Sequence, residues 1–248
     1  VPSITYVASF QAIQASGAVP VACDIDKNTG FIDVKECESK INSKTRAIMP
    51  VYYASDGRNI KEIYRLSKKY NLRIIEDAAH SLGSVINGKK VGSTGDIVCF
   101  SFDGIKNITS GEGGAVVTND PKISKRIMDS RLLGVINDTN RRYKHKRSWD
   151  FDVKRRGFRY HMSNINAALG ISQLRQIENF GKRRRSIVKL YNNKLCKIEG
   201  IEILHLDFDH ILPHIYVIKI KKNLRDKLKD YLLKNNVETG IHWKPNHK

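Results

Sequence analysis

The chain has 248 residues, 40% of them hydrophobic, which is enough to bury a sizeable core as one large domain with a smaller one attached. No run of eighteen apolar residues is present to span a membrane, and Cys23, Cys37, Cys99 and Cys196 lack the CxxC spacing of a metal or redox site, so free thiols are expected. The 44 lysines and arginines against 25 acidic residues give a formal charge of +19, yet the basic clusters at 141–147, 154–156 and 182–185 are dispersed and accompany no zinc finger or RNP-type strand, which argues against nucleic acid as the partner.

Short apolar runs at 19–25, 47–51, 72–75, 97–102 and 115–117 read as strands, with helical segments between several of them. Residues 59–70 carry Ile60, Ile63 and Tyr64 at helical spacing. This alternation predicts an α/β fold with a mainly parallel sheet covered on both faces. Ser163 is placed to cap a long helix with Ala167, Ile171, Leu174 and Ile177 on its inner face. Beyond residue 180 the composition turns more basic. A strand at 215–220 then precedes a helix with Leu224, Leu228, Tyr231 and Leu232 on one face, started by Asn223 with Asp226. Residues 1–180 are expected to form the large domain and 181–248 the beginning of a small α+β domain.

The chemistry concentrates in residues 76–114. Asp77 follows one apolar strand and Lys106 another, so both side chains emerge at the carboxyl ends of strands, where open α/β sheets bind ligands. A lysine desolvated enough to exist partly as the free amine can form a Schiff base with an aldehyde. A carboxylate facing a pyridine nitrogen keeps that ring protonated and makes it an electron sink. Together the two residues are the layout of a pyridoxal phosphate site. Taken singly, a lysine is usually a solvated surface group and an aspartate after a strand is often a helix cap; the pair is the specific signal.

The blocks EDAAH (76–80), GSTGD (92–96) and FSFDGIKNITSGEGG (100–114), followed by VVT, resemble the DegT/DnrJ/EryC1/StrS sugar aminotransferases. The resemblance extends to VPSITYVAS and GAVPVACDID near the start, GFRYHMSNINAALG (157–170) and ETGIHWKP (238–245), and so covers nearly the whole chain. It implies the large domain of a fold type I, aspartate aminotransferase-like enzyme. It also implies that Lys106 is the Schiff-base lysine, Asp77 the partner of the pyridine nitrogen, and His80 a contact on the ring-hydroxyl side. Ser101 would bind the cofactor phosphate and Tyr6 would stack on the ring. From the residues alone, His80 reads as a structural histidine and Tyr6 as a core aromatic, while Ser101 reads as a hydroxyl bonded to its own backbone between two buried phenylalanines. The Gly111, Gly113 and Gly114 turn lacks the GK[ST] ending of a nucleotide P-loop.

Arg159 and His161 stand where the family often has Asn and Arg. The resemblance implies that their segment crosses a homodimer to the neighbouring cofactor phosphate or substrate. The implied reaction moves an amino group from glutamate to a keto sugar linked to a nucleoside diphosphate, a 4-keto-6-deoxyhexose first and a 3-keto sugar second. It uses no metal, takes place in the cytoplasm and serves a surface polysaccharide such as the O-antigen of lipopolysaccharide. Lys106 argues against the relatives that dehydrate their sugar with a histidine in its place. The family's upstream Gly-Thr phosphate segment has no counterpart here, and the chain stops soon after ETGIHWKP. These two departures leave a second expectation, a catalytically impaired fragment acting as a binding or interaction module.

Overall fold

A computed structural model describes residues 1–136, 144, 151–221 and 223–246; apart from Lys144, the basic cluster at 141–147 lies outside the described residues. In chain order the elements are α1 (Val7–Ala15), α2 (Val34–Ser39), β1 (Ala47–Ile48), α3 (Ile60–Tyr70), β2 (Arg73–Asp77), β3 (Val85–Ile86), β4 (Lys89–Lys90), β5 (Ile97–Ser101), β6 (Gly114–Val117) and α4 (Pro121–Ser130). They are followed by α5 (Asn164–Leu174), α6 (Ile177–Leu195), β7 (Ile201–Ile203), β8 (Ile218–Ile220) and α7 (Arg225–Lys234).

The main sheet has the order β1–β2–β5–β6. β1 and β5 flank β2 in parallel, and β6 lies antiparallel to β5 at the edge. Alternation along β2 turns Ile74 and Glu76 to one side, where both are buried, and sends Ile75 and Asp77 to the other. Ile63 and Leu66 of α3 pack on Ile74, Ile48, Phe31 and Ile32 in the larger core cluster, with Ile60 and Tyr64 beside them, as the helical spacing requires. Burying each such side chain fully contributes roughly 1.5–3 kcal/mol. Asn71, in the left-handed conformation at φ 52°, stops α3 and turns the chain into β2.

Glu76 therefore places a carboxylate in the core. The phenol hydroxyls of Tyr52 and Tyr64 both donate to it. Its pKa is raised by burial, against the opposing effect of those two hydrogen bonds. Gly95 makes room for it: at φ 135° a Cβ there would lie 2.5 Å from Glu76 Oε1.

Several elements differ from the sequence expectation. Residues 19–25 form no sheet strand, only isolated bridges from Cys23 to Pro2 and from Ile25 to Ile32. Pro20 has no amide hydrogen, and the segment pairs instead with the first residues, Cys23 N–H donating to Val1 O at 2.8 Å and Ser3 N–H to Cys23 O at 2.8 Å. Ser163 does cap a helix, its hydroxyl accepting from Asn166 N–H at 3.2 Å, but that helix ends at Leu174 and a second begins at Ile177. Ile171 and Leu174, expected to face inward, are about half exposed in the single chain.

α6 runs without a break through residue 180. The strand expected at 215–220 is shorter, Ile218–Ile220, and pairs antiparallel with β7. Leu224 precedes α7 without a side-chain cap, because Asn223 takes a left-handed turn at φ 78° and Asp226 pairs with Arg225. α7 buries none of its residues, so its expected apolar face is not a core face here. Among the described residues no helix is long and apolar enough to cross a membrane.

Candidate active site

β2 and β5 are neighbours with Asp77 opposite Cys99, so the chain leaving β5 passes beside Asp77 at the carboxyl edge of the parallel strands. Lys106 lies in the connection from β5 to β6. That loop is closed by Phe102 N–H donating to Gly113 O at 2.8 Å and Ser110 N–H donating to Phe102 O at 2.9 Å. Gly113 has φ 154°, and a Cβ on it would stand 2.6 Å from Met162 Cε and 2.7 Å from Ser110 Oγ. A glycine is what lets the segment carrying Met162 close over the lysine loop.

Lys106 is half-buried. That burial lowers its pKa from the ordinary 10.5, and the charges of Asp103 and Asp77 oppose the shift. The Asp77 carboxylate is held on both oxygens: Oδ2 accepts from Ser9 Oγ at 2.7 Å and Oδ1 accepts from Ala79 N–H at 3.1 Å. Ser9, on the first turn of α1, is itself 2.8 Å from Thr5 Oγ1.

A cluster of rings completes the site. His80, 4% exposed, has its ring 4.2 Å from that of His214 and 5.4 Å from that of Trp243. Burial, then the nearby His214, Lys106 and His242, push the His80 pKa down to about 2. Burial, then Lys106, Arg184 and His242, push His214 to about 3, with Asp103 opposing. Both rings are therefore neutral near pH 7, and the Nδ1 of each is buried without a hydrogen-bond partner among the described residues.

The loops beneath these rings are tied together. Asn107 Nδ2 lies within donating distance of the carbonyls of His80 (3.1 Å), Leu82 (3.0 Å) and Leu212 (3.2 Å), and Ser55 Oγ also donates to His80 O. Tyr53 Oη donates to His242 O at 2.5 Å, while Asn246 N–H donates to Ser3 O at 3.0 Å. The end of the described chain is thus folded back over its beginning.

Of the residues singled out in the sequence, Asp77, Lys106 and His80 come together. Tyr6 is not the core aromatic its composition suggests: it is 57% exposed at the start of α1, its ring 6.2 Å from Trp243. Ser101 Oγ accepts from Asp103 N–H at 3.4 Å, but its neighbours Phe100 and Phe102 are only half-buried, because β5 lies next to the edge strand. Arg159 is exposed on a bridge to Leu132, and His161 is half-buried. Neither makes a hydrogen bond or ion pair with Asp77 or Lys106 among the described residues.

Sequence reading missed Ser9, Thr5, Asn107, His214, His242 and Trp243 as site residues. His242 and Trp243 lie in the ETGIHWKP block that carried part of the resemblance, so a signal existed for them. His214 sits in an apolar run with no spacing that relates it to His80.

A mainly parallel sheet here brings a half-buried amine and a tethered carboxylate to its carboxyl edge, the class of site that open α/β enzymes build. The chain belongs to the DegT/DnrJ/EryC1/StrS aminotransferase family, whose model matches residues 1–248. The cofactor that goes with this family is pyridoxal phosphate. The chain is 39% identical over 250 residues to an uncharacterized protein of Methanocaldococcus jannaschii, covering 98% of this chain and 64% of that one. It is 36% identical over 247 residues to the GDP-perosamine synthase of Escherichia coli O157:H7, covering 100% of this chain and 65% of that one. The solved structure of Helicobacter pylori PseC, an aminotransferase involved in pseudoaminic acid biosynthesis, superposes with a TM-score of 0.90 at 30% identity, over 100% of this chain and 65% of that one. The chain thus spans just under two thirds of the length of these proteins.

Proposed function

We propose that this chain carries the catalytic core of a pyridoxal phosphate-dependent sugar nucleotide aminotransferase. The observation that carries the reading is the half-buried Lys106 amine, its proton loosened by burial, coupled to Asp77 and to the neutral His80. The residues present fit the cofactor. A carboxylate with both oxygens tethered, a depressed lysine, a buried His80 Nδ1 without a partner and an uncovered Tyr6 ring are the groups that a protonated pyridine bearing a hydroxyl and an aldehyde calls for.

When bound, the cofactor supplies an electrophilic carbon and a ring that draws off electron density as a substrate C–H bond breaks. Asp77 would keep a proton on the ring nitrogen. Lys106 Nζ, its pKa lowered by burial, would take the proton from the substrate carbon and return it on the other side of the exchange. Ser101 at the end of β5 would donate to the phosphate, and Tyr6 would stack on the ring. His80, held neutral, would meet the hydroxyl side without adding a positive charge next to Lys106.

Glutamate is the amino donor in this reading, and a 4-keto-6-deoxyhexose linked to a nucleoside diphosphate is the acceptor. The similarity to a protein named GDP-perosamine synthase supports a sugar nucleotide, and the formal charge of +19 favours an anionic diphosphate. The enzyme works in the cytoplasm and its amino sugar goes to a surface polysaccharide. Residues 1–180 form the cofactor-binding part and 181–248 the start of the small domain, with α6 common to both. A homodimer, in which Arg159 and His161 donate to the neighbouring site, is supported by the exposed Ile165, Leu169, Ile171 and Leu174 of α5.

Borohydride reduction of the chain mixed with pyridoxal phosphate, followed by peptide mapping, tests the reading. A phosphopyridoxyl group on Lys106, absent from a folded Lys106→Ala variant, is expected. A label on another lysine, or none, would overturn it.

A further inference from the structure

We infer that Ser9, backed by Thr5, is a positioning residue that aims the Asp77 carboxylate; this inference rests on the cofactor reading above. The argument is an inventory of protons. Ser9 Oγ is 2.7 Å from Asp77 Oδ2 and 2.8 Å from Thr5 Oγ1. An ionised carboxylate only accepts, and a serine hydroxyl has one proton. The Ser9 proton is therefore committed to Asp77, and the bond between the two hydroxyls has one direction: Thr5 donates to Ser9, and Ser9 donates to Asp77. Hydrogen bonds in such a row polarise one another, which strengthens the bond that reaches the charge.

The relay is built into the fold rather than left on the surface. Thr5 is 1% exposed and Ser9 5% exposed. The Thr5 carbonyl accepts from Asn246 Nδ2 at 2.7 Å, which ties the start of the relay to the returning end of the described chain. α1, with the sequence VASFQAIQA, carries no charged residue, and among the described residues its hydrogen bond to Asp77 is the one from Ser9 Oγ. The other oxygen, Oδ1, is held by Ala79 N–H of the loop after β2. One donor from α1 and one from the loop fix the plane of the carboxylate before any ligand arrives, and two of its roughly four acceptor positions stay open.

Pyridoxal phosphate affinity, measured by fluorescence titration, and the melting temperature of the cofactor-free chain are compared for wild type, Ser9→Ala, Ser9→Thr and Thr5→Val. Borohydride labelling of wild type at Lys106 is run first. Losing one hydrogen bond to a charged group corresponds to a weakening of about tenfold or more, so Ser9→Ala is expected to bind at least about tenfold more weakly. Ser9→Thr restores binding to within about threefold, while melting of the cofactor-free chain separately reads the stability lost when Ser9→Ala leaves the buried Thr5 hydroxyl without its acceptor. Labelled wild type together with a Ser9→Ala that binds as tightly as wild type, or with a Ser9→Thr as weak as Ser9→Ala, would overturn the positioning role and leave the cofactor reading intact. Unlabelled wild type would overturn both. If Ser9→Ala does not fold, Thr5→Val decides: a loss of about threefold supports the relay, and unchanged affinity overturns it.

Discussion

His80 and His214 show how one buried ring changes its neighbour. Each is held neutral by burial first and by nearby positive groups second, with pKa values of about 2 and about 3 against an ordinary 6.5. Above pH 6.5 neither the folded nor the unfolded chain protonates these rings, and their contribution to stability is fully present. As pH falls below 6.5 the unfolded chain takes up protons that the folded chain refuses, so stability is lost down towards the folded values. The expected loss approaches about 1.4 kcal/mol per pH unit per histidine. Urea unfolding at pH 7, 6 and 5 is expected to show a falling midpoint, and His214→Gln to remove about half of the slope. A midpoint that stays constant over that range would show that the rings are not buried neutral. Burial is also the main cause that lowers the Lys106 pKa, so the low basicity of the rings and that of the amine have one origin.

At the scale of the element, β2 does two jobs through its alternation. Its outer position Asp77 reaches the site, and its inner position Glu76 anchors Tyr52 and Tyr64. Burial raises the Glu76 pKa, so its stabilising contribution is complete below the ordinary value of 4.5 and is lost as pH rises through the raised folded value. This sign is opposite to that of the histidines. Glu76→Gln, which needs no proton, is expected to flatten the stability profile above pH 4.5. Glu76→Ala strands two phenols and costs about 2–4 kcal/mol. Chemical denaturation across pH 4.5 to 8 distinguishes the two variants, and equal stability of Glu76→Ala and wild type would remove the network from the account of the fold.

At the scale of the molecule, the exposed apolar residues of α5 and the segment with Arg159 and His161 bear on assembly. Ile165 is 75% exposed and Leu169 52%, one turn apart on one helix face. Under the proposed homodimer, sedimentation gives twice the monomer mass. Replacing Ile165 and Leu169 with Asp is then expected to give monomers that bind pyridoxal phosphate about tenfold more weakly, the order expected when charged donors to a phosphate are withdrawn. Undiminished affinity in a monomeric variant would show that each chain completes its own site.

The sequence by itself determined the family, the α/β class, the place of Asp77 at a strand end and that of Lys106 in the loop after a strand. The class and the two positions follow from apolar runs of strand length and a glycine turn, and the family from the motifs, all of which are properties of near neighbours in the chain. Ile60, Ile63 and Tyr64 likewise announced α3 because helical periodicity is a property of near neighbours. Tertiary structure alone decided which distant side chains meet. His80 and His214 lie far apart in the chain, Ser9 reaches Asp77 across the α1–sheet interface, and Trp243 returns to the first residues. It also decided that 19–25 pairs with the chain start instead of the sheet, and that the helix after Ser163 breaks before Ile177. Burial and pairing depend on what packs against a segment, and residue type alone does not specify the neighbour.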